Sequence, residues 1–144
     1  HTHSRAGAAI SAMKCGLLPL SQHAGLILPT VCIHPYQDVT TAEDECDALA
    51  RDIGENFAMI MENHGLLACG RSIGECFYYL YYLETACKIQ VDVLASGQEP
   101  LLLSDKIVEG LFTDGDVPKN EPSGAEDWKP QLRWLDRNMP GYKD

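Results

Sequence analysis

The sequence predicts a mixed α/β fold in which helices pack in layers against a small sheet. Three observations support this prediction. Segments with helical spacing of apolar residues alternate with short β-type runs, and capping boxes open several of the helical segments. In FAMIMENHGLLACG, two apolar runs enclose a polar break. With 144 residues, the chain is long enough to form one domain with a sizeable core.

The first predicted elements are a helix and a short strand. The segment from Ser4 to Met13 is rich in alanine, with Ser4 placed as the N-cap and Gly16 placed to end the helix. The next stretch, CGLLPLSQHAG, is interrupted by glycine and proline, which predicts a loop. In LILPTVCIHPY, β-branched residues between prolines indicate a strand around Thr30 to His34.

A second helix and a hairpin follow. Thr40 and Glu43 form a capping box, and the helix that it opens is expected to end near Gly54. Helical spacing predicts its core face, which consists of Cys46, Leu49, Ala50 and Ile53. The polar residues 62–65 then separate two apolar runs, which is typical of a strand, a turn and a second strand.

The longest predicted helix begins at a second capping box, Ser72 and Glu75, and runs to about Ser96, with Gly97 as its C′ residue. Apolar residues at steps of three and four predict a core stripe. The stripe contains Phe77, Leu80, Tyr81, Glu84, Cys87, Val91 and Leu94. Neighbouring tyrosines widen this surface, which suggests contact with another subunit.

The sequence predicts less regular structure after this helix. Residues 98–124 include TDGDVPKNEPSG, whose Asp, Gly and Pro content is typical of a loop or linker. Ser123 and Glu126 form a third capping box for a short helix. Its apolar face holds Trp128, Leu132 and Leu135. We therefore divide the single domain into a core (1–97), a connection (98–124) and a C-terminal helix with a tail (125–144).

The net charge and the cysteine pattern argue against several classes of protein. A net charge of −10 argues against a nucleic-acid binder and against attachment to anionic lipid. No apolar run approaches the roughly 20 residues of a membrane span. The six cysteines lack CxxC spacing and mostly have apolar neighbours. This favours reduced core thiols in a cytoplasmic protein over a disulfide framework.

Histidines are the candidate site residues. On an extended strand His1 and His3 point to one face, so both imidazoles can reach one ion. A catalytic zinc site needs a third protein ligand, and His64 beside Gly65 is the best candidate. His23 and His34 fit less well. The alternative is an exposed histidine pair and an ordinary turn histidine.

Three stretches carry a family resemblance: HTHSRAGAAISAMKCGLLPLS, ENHGLLACGRSIGECFYYLYYLETACKIQVDVLASG and WKPQLRWLDRNMPGYKD. They resemble the class II aldolase and adducin family, specifically its bacterial adducin-like members. The resemblance implies a three-layer α/β/α fold with a central, mainly antiparallel sheet, assembled as a homotetramer. It also implies that His1, His3 and His64 bind a divalent metal ion, Zn²⁺ or another. Family domains carry a segment before the HxH motif, with an acid/base glutamate and phosphate-binding loops. We therefore expect this chain to be the C-terminal part of such a domain.

The resemblance implies a function in carbohydrate metabolism. The expected activity is that of a divalent-metal-dependent lyase or isomerase that stabilises an enediolate of a small hydroxy-carbonyl substrate, such as a sugar phosphate. The alternative is a non-catalytic, adducin-like cytoskeletal scaffold of the actin-binding type. Adducin heads generally lack a complete HxH pair, so the three histidines favour the enzyme. Fuculose-phosphate aldolases use a tyrosine as proton donor where this chain reads Ser21-Gln22-His23. His23 is either a replacement donor or a packed loop residue.

Overall fold

Three strands form one sheet in the computed structural model, which describes residues 1–37, 42–114 and 123–143. Strand β1 (Val31–His34) pairs in parallel with β2 (Ala58–Met61), and β2 pairs antiparallel with β3 (Gly65–Ala68). Thr2 forms a further antiparallel bridge with Leu66 of β3. The strand predicted at residues 30–34 and the predicted hairpin are therefore confirmed.

Helices cover both faces of this sheet. The α-helices are α1 (Arg5–Ser11), α2 (Gln22–Ile27), α3 (Ala42–Ile53), α4 (Ile73–Ala95), α5 (Asp105–Asp114) and α6 (Ala125–Asn138). Ala58 and Ile60 belong to the main core, on the face that α1 and α4 cover. Met59 and Met61 point to the opposite face because side chains alternate along a strand. Strand β1 packs against α3 on that second face, where His34 contacts Asp52 of α3. The predicted three-layer α/β/α class is confirmed.

Local signals explain where several helices begin and end. The hydroxyl oxygens of Ser4 and Ser72 accept hydrogen bonds from backbone N–H groups in the first turns of α1 and α4, as predicted. Gly54 and Gly97 have φ values of +49° and +69°, which glycine adopts without strain, and they follow α3 and α4. The predicted first residue of the α3 capping box, Thr40, lies outside the described residues. Even α4 is not apolar enough to cross a membrane, and the same holds for the other described helices.

Two helices occur where the sequence predicted loops. Helix α2 lies partly within CGLLPLSQHAG, and α5 lies within the predicted connection 98–124, so both loop predictions were wrong at these positions. The two helices pack against each other. A Cβ atom on Gly25 of α2 would lie 2.6 Å from Cδ1 of Leu111 of α5, so a larger residue would require the side chain of Leu111 to shift. This tertiary contact has no signature in either short segment.

The buried side of α4 is rotated relative to the predicted stripe. Its buried residues are Gly74, Glu75, Tyr79, Leu83, Ala86, Cys87 and Gln90. The prediction is confirmed for Cys87, and Leu80 and Val91 pack against the core, but Tyr81 is exposed. The polar Glu75 and Gln90 were missed because an apolar pattern does not count them. The buried side-chain amide of Gln90 has hydrogen-bond partners within the protein. Its Oε1 accepts from the N–H of Leu18 at 2.7 Å, and its Nε2 donates to the carbonyl of Gly16 at 2.8 Å.

Other predicted core positions also required correction. In α3, Cys46 and Ala50 are exposed, whereas Ala48 is buried. Ser123 does not cap α6: its hydroxyl lies 3.2 Å from the hydroxyl of Tyr79, and Gly124 occupies the N-cap position. The apolar face predicted for α6 holds three half-buried residues, as expected: Trp128, Leu132 and Leu135.

The cysteines are less buried than predicted. Cys15, Cys46 and Cys69 are exposed, so the core prediction was wrong for these three thiols. Cys87 is buried, and desolvation raises the pKa of its thiol to about 12. Apolar neighbours in sequence were a poor guide here because adjacent residues of a helix or strand point in different directions.

Candidate metal centre

The segment that contains His1 and His3 is held as an added edge strand. The N–H of Thr2 donates to the carbonyl of Leu66 at 2.9 Å, and the N–H of Leu66 donates to the carbonyl of Thr2 at 3.0 Å. Because alternate residues of an extended segment share a face, this bridge places both imidazoles on the same side of the sheet. The spacing that suggested a ligand pair is therefore realised in an extended conformation.

The turn between β2 and β3 supplies the third imidazole. Asn63 has a φ of +53°, a conformation in which asparagine is over-represented. Its N–H donates to the carbonyl of Ser11 at 3.0 Å, and the N–H of His64 donates to the carbonyl of Met61 at 3.0 Å. These bonds tie the turn to the end of α1 and fix where the ring of His64 projects.

Gly65 allows the two segments to meet. A Cβ atom at this position would lie 2.4 Å from the carbonyl oxygen of Thr2 and 3.2 Å from Cδ2 of His3. No side chain fits at the first distance, so glycine is required for the edge segment to pair beside the turn. The sequence Asn-His-Gly thus combines a turn residue, a candidate ligand and a position of close backbone approach.

The three imidazoles converge. Their ring centroids are 4.6 Å apart for His1 and His3, 4.8 Å for His1 and His64, and 4.7 Å for His3 and His64. One nitrogen atom from each residue lies within 4.8 Å of the others. Nε2 of His1 and Nε2 of His3 are 2.7 Å apart. His1 and His3 are exposed and His64 is half-buried, so the cluster is accessible from solvent.

The donor set fits a transition-metal ion. Nδ1 of His1 lies 2.9 Å from the carbonyl oxygen of Leu66, which requires Nδ1 to carry the proton and leaves a lone pair on Nε2. A hydrogen bond of this kind is the usual support for a metal-ligating histidine. Three imidazole ligands with a free position are typical of catalytic zinc. Within the described residues, these three form the grouping of His, Cys, Asp or Glu side chains that suits an ion.

The other histidines lie outside the cluster. The ring centroid of His23, on α2, is 5.6 Å from that of Tyr82, and the side chain is half-buried. His34 is buried, and its Nδ1 donates to a carboxylate oxygen of Asp52 at 2.7 Å.

Sequence reasoning missed one contact beside the cluster. Glu84, which was assigned to the core stripe of α4, accepts a hydrogen bond from the hydroxyl of Ser4. Eighty positions separate these residues, and no local pattern indicates their contact.

Comparison with known proteins gives a consistent match. Residues 1–91 match the family model described as Class II Aldolase and Adducin N-terminal domain. A Pseudomonas aeruginosa protein whose name assigns it provisionally to the class 2 aldolases is 36% identical over 99% of this chain. Rat alpha-adducin is 45% identical over 87% of this chain and 17% of its own length. The chain spans 56% of the length of the Pseudomonas aeruginosa protein and of a similar Caulobacter vibrioides protein.

Solved structures share the fold of this chain. An aldolase II superfamily protein from Pseudomonas syringae superposes with a TM-score of 0.88 and 34% identity, over all of this chain and 58% of its own. L-fuculose 1-phosphate aldolase from Glaciozyma antarctica PI12 gives a TM-score of 0.76 over 94% of this chain and 50% of its own. At 20% identity, the second match concerns the fold alone.

Proposed function

Because the chain belongs to the class II aldolase and adducin family, we propose that it forms a divalent-metal site of a lyase or isomerase. His1, His3 and His64 would hold the ion, with Zn²⁺ as the expected metal. The observation that carries this proposal is the convergence of three imidazoles from two segments, with Nδ1 of His1 already committed to the carbonyl of Leu66. An exposed surface pair of histidines would not need such support.

The ligand set suits a reaction in which negative charge develops on a substrate oxygen. A bound divalent ion supplies Lewis acidity toward the carbonyl and hydroxyl oxygens of a substrate. The neutral imidazoles of His1, His3 and His64 leave the positive charge of such an ion uncompensated, unlike a site rich in carboxylates. The exposed position of His1 and His3 leaves room for a small molecule. A small hydroxy-carbonyl compound, such as a sugar phosphate, fits these requirements, and carbohydrate metabolism is the matching context.

A scaffold function is the second candidate. The identity of 45% to rat alpha-adducin exceeds the 36% to the Pseudomonas aeruginosa relative. A scaffold, however, has no chemical need for three accessible imidazoles in one cluster. Metal binding therefore separates the two candidates.

The metal content of the purified full chain tests the proposal. We expect about one divalent ion for each chain. Substitution of His64 by alanine should weaken Zn²⁺ binding by more than about 100-fold, because the loss of a ligand should exceed the loss of a residue that only hydrogen-bonds a ligand. His23→Ala is the matched control, because it removes a half-buried imidazole outside the cluster. Equal Zn²⁺ affinity in the His64 and His23 variants would contradict the site. With the ion bound, cleavage of hydroxy-carbonyl compounds and sugar phosphates would support the enzyme, and metal binding without turnover would favour the scaffold.

The proposal includes a homotetramer in the cytoplasm. Ile73 and Tyr81 of α4 are 74% and 52% exposed, and apolar exposure of this kind is common at protein interfaces. Light scattering at micromolar concentration should give a tetramer, and a monomer would contradict this assembly. Three exposed thiols fit a reducing compartment.

A further inference from the structure

We propose that Glu84 is a positioning residue for the metal centre, acting through the hydroxyl of Ser4. This inference rests on the proposed metal site and adds to it a residue that does not touch the ion. Glu84 lies on α4, the 23-residue helix that packs against α1, α2 and the sheet. Ser4 is the residue that follows His3 in the chain.

The hydroxyl of Ser4 accepts one hydrogen bond and donates another. Its oxygen accepts a hydrogen bond from the N–H of Gly7 at 3.0 Å, and its proton is donated to Oε2 of Glu84. The first bond caps α1. The second bond joins the beginning of α1 to the side of α4. A hydroxyl has one proton, so donation to the carboxylate fixes its orientation and leaves its lone pair directed at Gly7.

These bonds matter most for His3. Nδ1 of His1 has its own support from the carbonyl of Leu66. Among the described residues, the ring of His3 makes one hydrogen bond, and its partner is the ring of His1. The position of the His3 ring therefore depends on its backbone. Thr2 on one side is bridged to Leu66, and Ser4 on the other side is bonded to Glu84.

Loss of the Glu84 contact would remove the tie between Ser4 and α4 and leave Ser4 held by α1 alone, through the N–H groups of Gly7 and Ala8. Outer partners of metal ligands typically change affinity by 10- to 100-fold when they are removed. Because Glu84 bonds the neighbour of a ligand and not the ligand itself, we expect Glu84→Ala to weaken Zn²⁺ binding by about tenfold, the lower end of this range, and to speed the release of Zn²⁺ to an excess of chelator. Glu84→Gln keeps an oxygen that accepts from Ser4, so it should bind Zn²⁺ within about threefold of wild type.

Two variants separate the hydrogen bond from charge and from helix capping. Asp92→Ala removes one carboxylate from an exposed position of the same helix and should leave Zn²⁺ affinity unchanged. Ser4→Gly removes the hydroxyl but keeps a residue that is tolerated at N-caps, and it should weaken Zn²⁺ binding as much as Glu84→Ala does. The double variant should bind no more weakly than Ser4→Gly alone, because that variant already lacks the hydrogen bond to Glu84.

The measurement is a competition titration of the metal-free full chain with Zn²⁺ and a chromogenic chelator. Each variant is first checked for folding by circular dichroism. If Glu84→Ala does not fold, the comparison of Ser4→Gly with wild type decides.

Wild-type affinity in the Glu84→Ala and Ser4→Gly proteins would overturn the positioning role while leaving the metal site intact. Equal weakening in Glu84→Gln and Glu84→Ala would also overturn it, since charge alone would then be responsible. Absence of Zn²⁺ binding in wild type would instead contradict the proposed function, and the positioning role with it.

Discussion

Two glutamates on α4 tie distant parts of the chain to the same helix, but they support different regions. Glu75, in the first turn, is 0% exposed and accepts from the N–H of Ser123, where the segment of α6 begins. Glu84, near the middle, has a side chain that is 20% exposed and accepts from Ser4, where the histidine segment ends. The more buried carboxylate supports the C-terminal helix, and the more exposed one supports the candidate metal centre.

The surroundings of the two carboxylates explain the difference. The oxygens of Glu75 accept from Arg71 through its backbone N–H, Nε and Nη2, at 2.6, 3.1 and 2.8 Å. These hydrogen bonds fix the start of α6. Trp128 of α6 packs over Gly74, and a Cβ atom added to Gly74 would lie 2.9 Å from Cβ of Trp128. The fully buried Glu75 therefore contributes to stability. The degree of burial does not indicate which of the two glutamates supports the candidate metal centre.

The largest effect on Zn²⁺ affinity is expected for a substitution at Gly65, beside the candidate metal centre, and not for a substitution of either glutamate. Gly65→Ala places a methyl group 2.4 Å from the carbonyl oxygen of Thr2, so the edge segment must move away. We expect Zn²⁺ affinity to fall by more than about 100-fold and the free energy of unfolding to fall by about 3 kcal/mol, as for other strained or overpacked substitutions.

Chelator competition and urea unfolding measure these two quantities. Gly110→Ala is the matched control, because among the described residues no atom beyond its chain neighbours and the backbone of its own helix lies within 4 Å of the added methyl group. That variant should keep wild-type Zn²⁺ affinity and gain up to about 1 kcal/mol of stability, since alanine is the better helix former. Wild-type Zn²⁺ affinity in Gly65→Ala would show that the histidine segment does not need its place beside the turn.

The second prediction concerns the buried glutamate. Glu75→Gln removes the charge that receives four N–H donors and leaves some of them without a good acceptor. Leaving buried hydrogen-bond donors without a good acceptor costs about 1–3 kcal/mol of the free energy of unfolding, which urea unfolding would measure. Zn²⁺ affinity should stay within about twofold of wild type. A loss of Zn²⁺ affinity as large as that of Glu84→Ala would abolish the distinction between the two glutamates.

The sequence predicted most local elements because their signals are local. Ser4 and Ser72 cap helices through bonds within four residues, and the polar turn between two apolar runs specified the hairpin. Short helices held by tertiary contact were missed, as Gly25 and Leu111 show. The stripe of α4 was misplaced because a buried polar residue such as Gln90 obtains its partners from distant loops.

The candidate site was predicted in part. The spacing of His1 and His3 indicated a shared face, and the Asn-His-Gly turn suggested His64 as a third ligand. Only the family resemblance made these three a specific set. The bridge from Thr2 to Leu66 joins residues that are 64 positions apart, and no periodicity encodes such a pairing. The metal itself stays a prediction.

A pH dependence follows from the surroundings of Glu75. Hydrogen bonds from the side chain and backbone of Arg71 and from the backbone of Ser123 lower the pKa of this carboxyl, although burial opposes them. The folded state therefore holds its proton less tightly than the unfolded state. This contribution to stability is fully present above the unfolded pKa of about 4.3 and is lost as pH falls through the lower, folded pKa.

Urea unfolding of the metal-free chain at several pH values below about 5 tests this. The difference in stability between wild type and Glu75→Gln should shrink as pH falls, with a slope of at most about 1.4 kcal/mol per pH unit. Comparison with the variant removes the contributions of other carboxylates. A difference that is constant over this range would show that Glu75 titrates alike in both states.

The smallest expected effect tests which bond of Glu84 matters. Nζ of Lys88 lies 3.2 Å from Oε1 of Glu84, but the lysine side chain is 63% exposed, and such pairs contribute about 0.3–0.5 kcal/mol. Ser4 uses the other oxygen, Oε2, so its hydrogen bond does not require the lysine. Lys88→Ala should therefore change Zn²⁺ affinity by less than about twofold, measured by the same competition titration. A loss near that of Glu84→Ala would mean that the ion pair, and not the hydroxyl of Ser4, orients this carboxylate. In that case the loss should be reproduced in wild type by raising the salt concentration, since screening weakens exposed ion pairs and leaves the Ser4 hydrogen bond intact.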